Sequence, residues 1–104
     1  MFFFIKNGQK NIEGRLNKGK FKELKVGDIL SVGKNEKDLD RFDVLVIDKK
    51  EYKTFFEMIK TEGLENVLPD KSDVESGVKD VYYKFYSREK EKEFGVLAIK
   101  IKRV

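Results

Sequence analysis

Three charged side chains of opposite sign lie close together near the start of the chain. Lys10, Glu13 and Arg15 fall within six residues of one another. Side chains alternate faces along an extended segment, so Glu13 and Arg15 point the same way, and Lys10 approaches from the turn before them. A carboxylate between two cations suits a small anionic or polar ligand, such as a nucleotide or RNA. The same pattern is common in surface ion pairs, and the spacing alone leaves both interpretations open.

A basic segment follows this trio. It contributes Lys18, Lys20, Lys22 and Lys25 within eight residues. Residues 1–34 carry eight Lys or Arg and three Asp or Glu, a net charge of +5, whereas the whole chain carries +4. Positive charge therefore gathers around the trio, as a surface that attracts phosphate requires. An ordinary solvated face would show the same charge.

Composition limits the classes of protein and of site. The chain has 104 residues, no Cys and no His, which excludes disulfides, thiolate metal sites and imidazole chemistry and leaves only carboxylates as metal ligands. We expect one domain spanning residues 1–104, without a metal or a cofactor. No apolar run approaches the roughly 18 residues that span a bilayer. The composition therefore predicts a cytoplasmic protein that does not enter a membrane.

Four segments have the pattern of β-strands. Residues 12–16 alternate, with Glu13 and Arg15 on one face, and residues 29–32 follow a tight turn at Lys25-Val26-Gly27-Asp28. Residues 41–48 contain Val44-Leu45-Val46-Ile47, an apolar run typical of a strand covered on both faces. Residues 94–104 end with alternating Ile and Lys. These strands predict a small mixed or barrel-like sheet.

Other segments read as loops, and the N-terminus is ambiguous. Residues 17–23 are a polar, basic loop in this interpretation, and residues 33–40 are a solvated hairpin loop. Phe2-Phe3-Phe4-Ile5-Lys6 before Asn7-Gly8 fits a hairpin. It equally fits a helix that Gly8 ends in the left-handed conformation. The pattern alone does not choose between them.

Two helices lie between the last two strands. Capping boxes at Thr54 with Glu57 and at Ser72 with Glu75 predict where each begins. Between them, residues 63–69 have the length of a single helical turn ended by Pro69. The apolar stripes of the two helices are Phe55, Met58 and Ile59 in the first and Val74, Val78, Val81, Tyr82 and Phe85 in the second. Strands, two helices and a closing strand predict an α+β fold.

The pattern Gly8-x-Lys10-x-x-Glu13-x-Arg15 resembles the signature of the ASCH domain, a relative of the PUA domains. The resemblance extends along nearly the whole chain. Lys25-Val26-Gly27-Asp28 is similar to the family's lysine-valine-glycine-aspartate turn, residues 55–69 to its phenylalanine-rich helix and glutamate-glycine-leucine segment, and Gly95-Val96-Leu97-Ala98-Ile99 to its closing strand.

This resemblance implies a PUA-like small β-barrel of about five or six strands flanked by two or three helices. It places Lys10, Glu13 and Arg15 in a cleft between barrel and helices. It also favours a helix ending at Gly8 over the hairpin. ASCH domains usually carry a strand before that helix, and this chain begins after it. Either the natural start lies upstream, or residues 2–5 supply a replacement strand; otherwise one barrel edge stays unpaired.

The resemblance further implies binding of RNA or a nucleotide. Arg15 would grip a phosphate or a carbonyl edge with two donors, Lys10 would supply a point charge, and Glu13 would accept from a base amino group. Lys18, Lys20, Lys22 and Lys25 would follow the RNA backbone. Aromatic residues offer stacking surfaces: Tyr83 is the candidate for exposure, Tyr82 and Phe85 belong to the apolar stripe and read as core, Tyr86 is undecided, and Phe21 fits either stacking or packing.

Two alternatives remain at this point. One branch of the family hydrolyses an acetyl-amide with a threonine three residues after the motif lysine, and this chain has Glu13 there, which cannot simply replace a hydroxyl nucleophile. A hydrolase that uses water, of amidohydrolase or ribonuclease type, would employ Glu13 as general base beside Lys10 and Arg15. In the other alternative the three charges form an ion network that only fixes the barrel.

Overall fold

The computed structural model describes residues 11–32 and 42–104, which form an α+β fold. Within these ranges one antiparallel sheet contains four strands in the order β1-β4-β3-β2. The sheet curls into half of a barrel. The strands are β1 (Ile12–Leu16), β2 (Ile29–Val32), β3 (Phe42–Tyr52) and β4 (Val96–Arg103).

Five helices accompany the sheet in the described ranges. They are α1 (Gly19–Glu23), α2 (Phe55–Glu62), α3 (Leu64–Val67), the composite helix α4 and α5 (Arg88–Phe94). Helix α4 consists of an α-helical turn (Val74–Gly77), a π-helical segment (Val78–Tyr82) and a last turn (Tyr83–Phe85).

Strand β4 lies at the centre of the molecule because both of its faces are covered. Val96 and Ala98 belong to a helix-side core, together with buried residues of β1, α2, α3 and α4. Leu97, Ile99 and Ile101 belong to a barrel-side core, which they share with β3 and on which α1 and β2 also pack. The sheet is therefore sandwiched between the helices on one side and its own curled continuation on the other.

The expectation that residues 44–47 are covered on both faces was wrong. Val44 and Val46 are buried, but Leu45 is half-buried and Ile47 is exposed. The register with β4 passes from Val46 to Asp48, so Ile47 is the extra residue of a β-bulge that projects toward solvent. An uninterrupted apolar run does not distinguish this arrangement from a strand buried on both faces.

Three helices begin with a side-chain cap that the sequence could specify. Thr54 Oγ1 accepts from the Glu57 amide at 3.0 Å, which confirms the predicted start of α2. The N-cap of α4 is Asp73 rather than the predicted Ser72, because the Asp73 carboxylate accepts from the Ser76 amide at 2.9 Å. Ser87 caps α5 by accepting from the Lys90 amide at 3.1 Å. The prediction missed α5 and assigned Phe94 to the closing strand.

The π-helical segment explains why the apolar stripe of α4 ends earlier than predicted. Val78 and Tyr82 are buried, as expected, but Phe85 is 78% exposed, so its assignment to the core was wrong. A π-helical turn contains more residues than an α-helical turn and rotates the positions that follow it. Phe85 therefore leaves the buried face although its spacing is helical.

Two predicted turns are present in the fold, and one predicted loop contains a helix. The single turn ended by Pro69 is confirmed as α3, and the turn at residues 25–28 is confirmed by a 3.0 Å bond from the Asp28 amide to the Lys25 carbonyl. The predicted loop at 17–23 contains α1. Lys49 Nζ holds that helix by donating to the Lys22 and Leu24 carbonyls at 2.7 and 2.8 Å.

The predicted counts of five or six strands and two or three helices were wrong for the described ranges, which form four strands and five helices. The extra strands were implied by the resemblance, whereas the sequence patterns themselves marked four. The alternatives for residues 2–8 and the loop at 33–40 lie outside the described residues. Within those residues no helix is long and apolar enough to cross a membrane. The cytoplasmic location and the relationship to PUA domains stay predictions.

Candidate functional site

Strand β1 places Glu13 and Arg15 on one face, as its alternation predicts. They pair with Ile99 and Leu97 of β4, so both side chains lie on the barrel side of the sheet at its edge. Arg15 Nη1 lies 3.0 Å from Glu13 Oε1, and the two side chains are 35% and 18% exposed, respectively. This ion pair is partly shielded from solvent yet remains accessible.

Helix α1 adds an aromatic ring and a second cation to this pair. The Arg15 guanidinium lies 5.2 Å from the centre of the Phe21 ring, and Lys20 Nζ lies 5.3 Å from the same centre. Phe21 also packs against the barrel-side core. The Phe21 ring therefore holds two cations near Glu13. Its packing against the barrel-side core explains why an aromatic residue occurs in this basic segment.

Gly14 allows the helices to approach β1 closely. A Cβ atom at this position would lie 2.7 Å from the Tyr82 hydroxyl and 2.9 Å from Met58 Cε. The Tyr82 ring stacks on Phe55 at 4.2 Å with an angle of 5° between the planes. Any side chain at position 14 would push this ring away from the strand, so the glycine sets the distance between sheet and helices.

The Tyr82 hydroxyl is a buried donor with no hydrogen-bond partner among the described residues. Burial raises the pKa of Tyr82, and the charge of Glu13 raises it further. The hydroxyl is therefore protonated throughout the physiological range and can donate a hydrogen bond. Buried polar groups nearly always have a partner, which makes this one notable beside an ion pair.

These side chains line one hollow between the sheet edge and α4. Its volume is about 500 Å³, with Glu13, Arg15 and Lys20 on one wall and Tyr82, Phe85 and Tyr86 on the other. A second hollow, of about 650 Å³, is also lined by Arg15, Lys20, Phe85 and Tyr86. Lys18 and Lys90 lie at its rim. We call these two connected hollows the cleft. Its walls combine one carboxylate, four cations and aromatic rings, of which Phe85 is exposed and Phe21 and Tyr86 are half-buried.

Comparison with known proteins identifies the family. The family model of the ASCH domain matches residues 1–104, the whole sequence. The chain belongs to the ASCH domain family. No curated protein matches the chain.

Two solved structures resemble this ASCH domain along nearly its full length. The crystal structure of hypothetical protein PH0355 is 43% identical with a TM-score of 0.87, and the match covers 99% of this chain and 90% of that one. The solution NMR structure of protein PF0455 from Pyrococcus furiosus is 41% identical with a TM-score of 0.81, covering 99% and 88%.

The ASCH domain brings together some of the predicted site residues and leaves others apart. Glu13, Arg15, Lys18 and Lys20 all line the cleft. The exposed residues Lys22 and Lys25 lie outside the described cleft lining; Lys22 contributes its carbonyl to the bond from Lys49. Lys10 lies outside the described residues. Within those residues no group of three or more acidic side chains could hold a metal ion.

The sequence interpretation missed the roles of Gly14 and Tyr82. A glycine between two charged residues of a strand is a signal of close backbone approach, and that signal was available. Tyr83 is half-buried instead of exposed, because its hydroxyl donates to Glu91 Oε1 at 2.8 Å. Phe85, assigned to the core, is the ring that the cleft actually exposes. The π-helical segment, after which Phe85 rather than Tyr83 is exposed, has no recognised sequence pattern.

Proposed function

We propose that this ASCH domain binds single-stranded RNA or a nucleotide in the cleft. The observation that carries the proposal is the composition of the two walls: a Glu13–Arg15 ion pair faces the exposed Phe85 and the half-buried Tyr86 across about 500 Å³. Proteins recognise unpaired bases by stacking them on aromatic rings and by bonding their polar edges. The RNA or nucleotide partner that the family resemblance implies agrees with this chemistry.

Each polar group of the cleft has a role in such binding. Arg15 uses Nη1 for Glu13 and for the Gly14 carbonyl at 3.2 Å, and its other guanidinium nitrogens can donate to a phosphate or a base carbonyl. Glu13 can accept from a base amino group through its second oxygen.

Charge at the rim supports a ligand that carries phosphate. Lys18, Lys20 and Lys90 surround the part of the cleft next to α5, and Glu13 is the acidic residue among the cleft-lining residues described. If three phosphates are neutralised, the logarithm of the binding constant should fall with the logarithm of salt concentration with a slope of about −2.

Binding of a fluorescein-labelled octanucleotide of mixed RNA sequence, followed by fluorescence anisotropy, tests the proposal. Arg15→Gln should weaken binding by about tenfold, since it removes charge-assisted hydrogen bonds. Arg103→Gln is the matched control, because Arg103 lies over the Phe42 ring at 4.9 Å, about 20 Å along β4 from the partner of Arg15. Equal losses in both variants, or no binding by the native protein, contradict the proposal.

The accessible carboxylate of Glu13 beside Arg15 also favours a second candidate function, a small hydrolase acting on RNA or a modified nucleoside. In such an enzyme Glu13 would accept a proton from water, and Arg15 would stabilise the developing oxyanion. Glu13→Gln separates the candidates. In a hydrolase it abolishes turnover and spares affinity, whereas in a binding protein it changes only the preference among bases.

A further inference from the structure

A further concave surface, outside the two hollows of the cleft, lies on the other side of Tyr86. This hollow has a volume of about 680 Å³ and is formed by α2, α4 and the start of α5. We call it the α2–α4 hollow. Phe56, Tyr83 and Tyr86 supply aromatic lining, and Lys79 and Arg88 supply positive charge.

The α2–α4 hollow exposes an apolar side chain that the fold does not use. Phe56 is 39% exposed, whereas Phe55, Met58 and Ile59 of the same helix are fully buried. It therefore lies on the outer side of α2 and adds little to the core. Its position beside Tyr83 and Tyr86 gives the hollow a surface on which a flat ligand can stack.

Positive charge in the α2–α4 hollow lies next to these rings. The Arg88 guanidinium is 5.0 Å from the centre of the Tyr83 ring, and Lys79 faces the same space. Glu75 is the acidic residue of the lining. Aromatic rings combined with an excess of cations are the features that bind unpaired nucleotides, since every base has a flat face and every link carries a phosphate.

The α2–α4 hollow and the cleft are adjacent. Tyr86 lines both, and Ser87 lines the α2–α4 hollow and the outer part of the cleft. The Tyr86 ring is held by stacking on Phe55 at 5.5 Å with an angle of 19°. An RNA strand that leaves the cleft over Tyr86 and Ser87 therefore enters the α2–α4 hollow without crossing another helix or strand of the protein.

We infer that the α2–α4 hollow binds the neighbouring nucleotide of a single RNA strand whose first base occupies the cleft. The inference rests on the proposed function and makes it narrower: the ligand is an oligonucleotide of at least two unpaired residues rather than a free nucleotide. Stacking on Phe56 and Tyr83 holds the second base, and Arg88 with Lys79 neutralises the phosphates on either side of it.

Competition between ligands of different length tests this inference. The competitors are nucleoside monophosphates, dinucleotides and tetranucleotides, each with a 5′ phosphate and as a mixture of all sequences. Each is titrated against the labelled octanucleotide bound to the full chain. Dinucleotides and tetranucleotides should compete on the order of tenfold better than monophosphates, because one more base is stacked.

Variants distinguish the α2–α4 hollow from a general effect of charge. Phe56→Ala and Arg88→Gln should remove most of the advantage of dinucleotides over monophosphates and leave the affinity for monophosphates unchanged. Both residues are exposed, so the variants should fold, and thermal unfolding checks this. Arg103→Gln is again the control for Arg88, because each arginine lies over an aromatic ring.

The outcomes separate the inference from the proposed function. Equal competition by monophosphates and dinucleotides overturns the inference and leaves binding in the cleft intact. An equal effect of Arg88→Gln and Arg103→Gln also overturns it, since charge alone then explains the length dependence. Failure of the octanucleotide itself to bind overturns the proposed function and the inference together.

Discussion

At the scale of single residues, Gly14 and Tyr82 determine the shape of the cleft together. The missing side chain at position 14 lets the Tyr82 hydroxyl come within what would be 2.7 Å of a Cβ atom. That hydroxyl is left without a partner among the described residues, which lowers the stability of the free protein.

Tyr82→Phe should therefore stabilise the protein and leave RNA binding nearly unchanged, because the hydroxyl is buried between β1 and α2 and does not reach the cleft surface. Removing an unpartnered buried hydroxyl should raise the free energy of unfolding by about 1 kcal/mol, and the affinity for RNA should change by less than about twofold. Urea unfolding and fluorescence anisotropy measure the two effects.

Tyr83→Phe is the matched control for stability. Its hydroxyl donates to the buried Glu91 carboxylate, so this variant should lower the free energy of unfolding by about 1–3 kcal/mol. If Tyr82→Phe also lowers the free energy of unfolding, its hydroxyl has a partner in the folded chain and the role given to it here is wrong.

At the scale of elements, the buried carboxylate of Glu91 joins α5 to the start of α2. Glu91 is 5% exposed, and its Oε2 accepts from the Phe55 amide at 2.9 Å. The amide lies in the first turn of α2, where a negative charge also interacts favourably with the helix dipole. Because Phe55 stacks on Tyr82 and Tyr86, this link fixes the aromatic wall of the cleft.

Glu91→Ala should be the most destabilising change of a charged residue in α5. It leaves the Phe55 amide and the Tyr83 hydroxyl without their acceptor, so the free energy of unfolding should fall by about 3 kcal/mol. Glu89→Ala, in the same helix but exposed, should change it by less than about 0.5 kcal/mol. Urea unfolding at pH 7 measures both, and similar values would show that the buried bonds contribute nothing specific.

The elements also show how far sequence reasoning reaches. Caps and alternation depend on neighbouring residues, so β1, β2 and the start of α2 could be predicted. Helix α5 was missed although its signals were present, since Ser87 precedes a run of helix-forming residues and Gly95 follows it. The π-helical segment was not predictable, because it depends on how α4 packs against β1 and α2.

At the scale of the whole molecule, tyrosine hydroxyls link stability to high pH. Burial raises the pKa of Tyr83 to about 12, with a further contribution from the hydrogen bond to Glu91. Burial likewise raises the pKa of Tyr52 to about 12, and the hydrogen bond of its hydroxyl to Glu62 adds to the effect. An unfolded tyrosine ionises near pH 10. Above that pH the unfolded chain releases protons that the folded chain retains, so stability decreases.

The contribution of these two tyrosines to the free energy of unfolding should be constant below about pH 10 and should fall between about pH 10 and pH 12. In Tyr52→Phe/Tyr83→Phe neither side chain titrates, so the decrease in unfolding free energy from pH 9 to pH 11 should be smaller than in the native protein. Urea unfolding at the two pH values measures it. Identical decreases would show that other groups govern alkaline unfolding.

The overall architecture was more predictable than the site. The four strands and the position of the helices between the last two follow from local patterns, and the alternation of β1 places Glu13 and Arg15 on one face. Which aromatic residues face that cleft depends on packing between distant segments. Phe85 and Tyr83 therefore exchanged their predicted environments, although both are in the same short run of sequence.

Lys49 holds one wall of the cleft against the sheet. Its ammonium group joins the end of α1 to β3, so Lys20 and Phe21 are carried on a helix anchored to a strand. Since Glu91 anchors the opposite wall through Phe55, both walls are in place before a ligand arrives. A pre-organised site of this kind loses little conformational entropy on binding, which favours affinity.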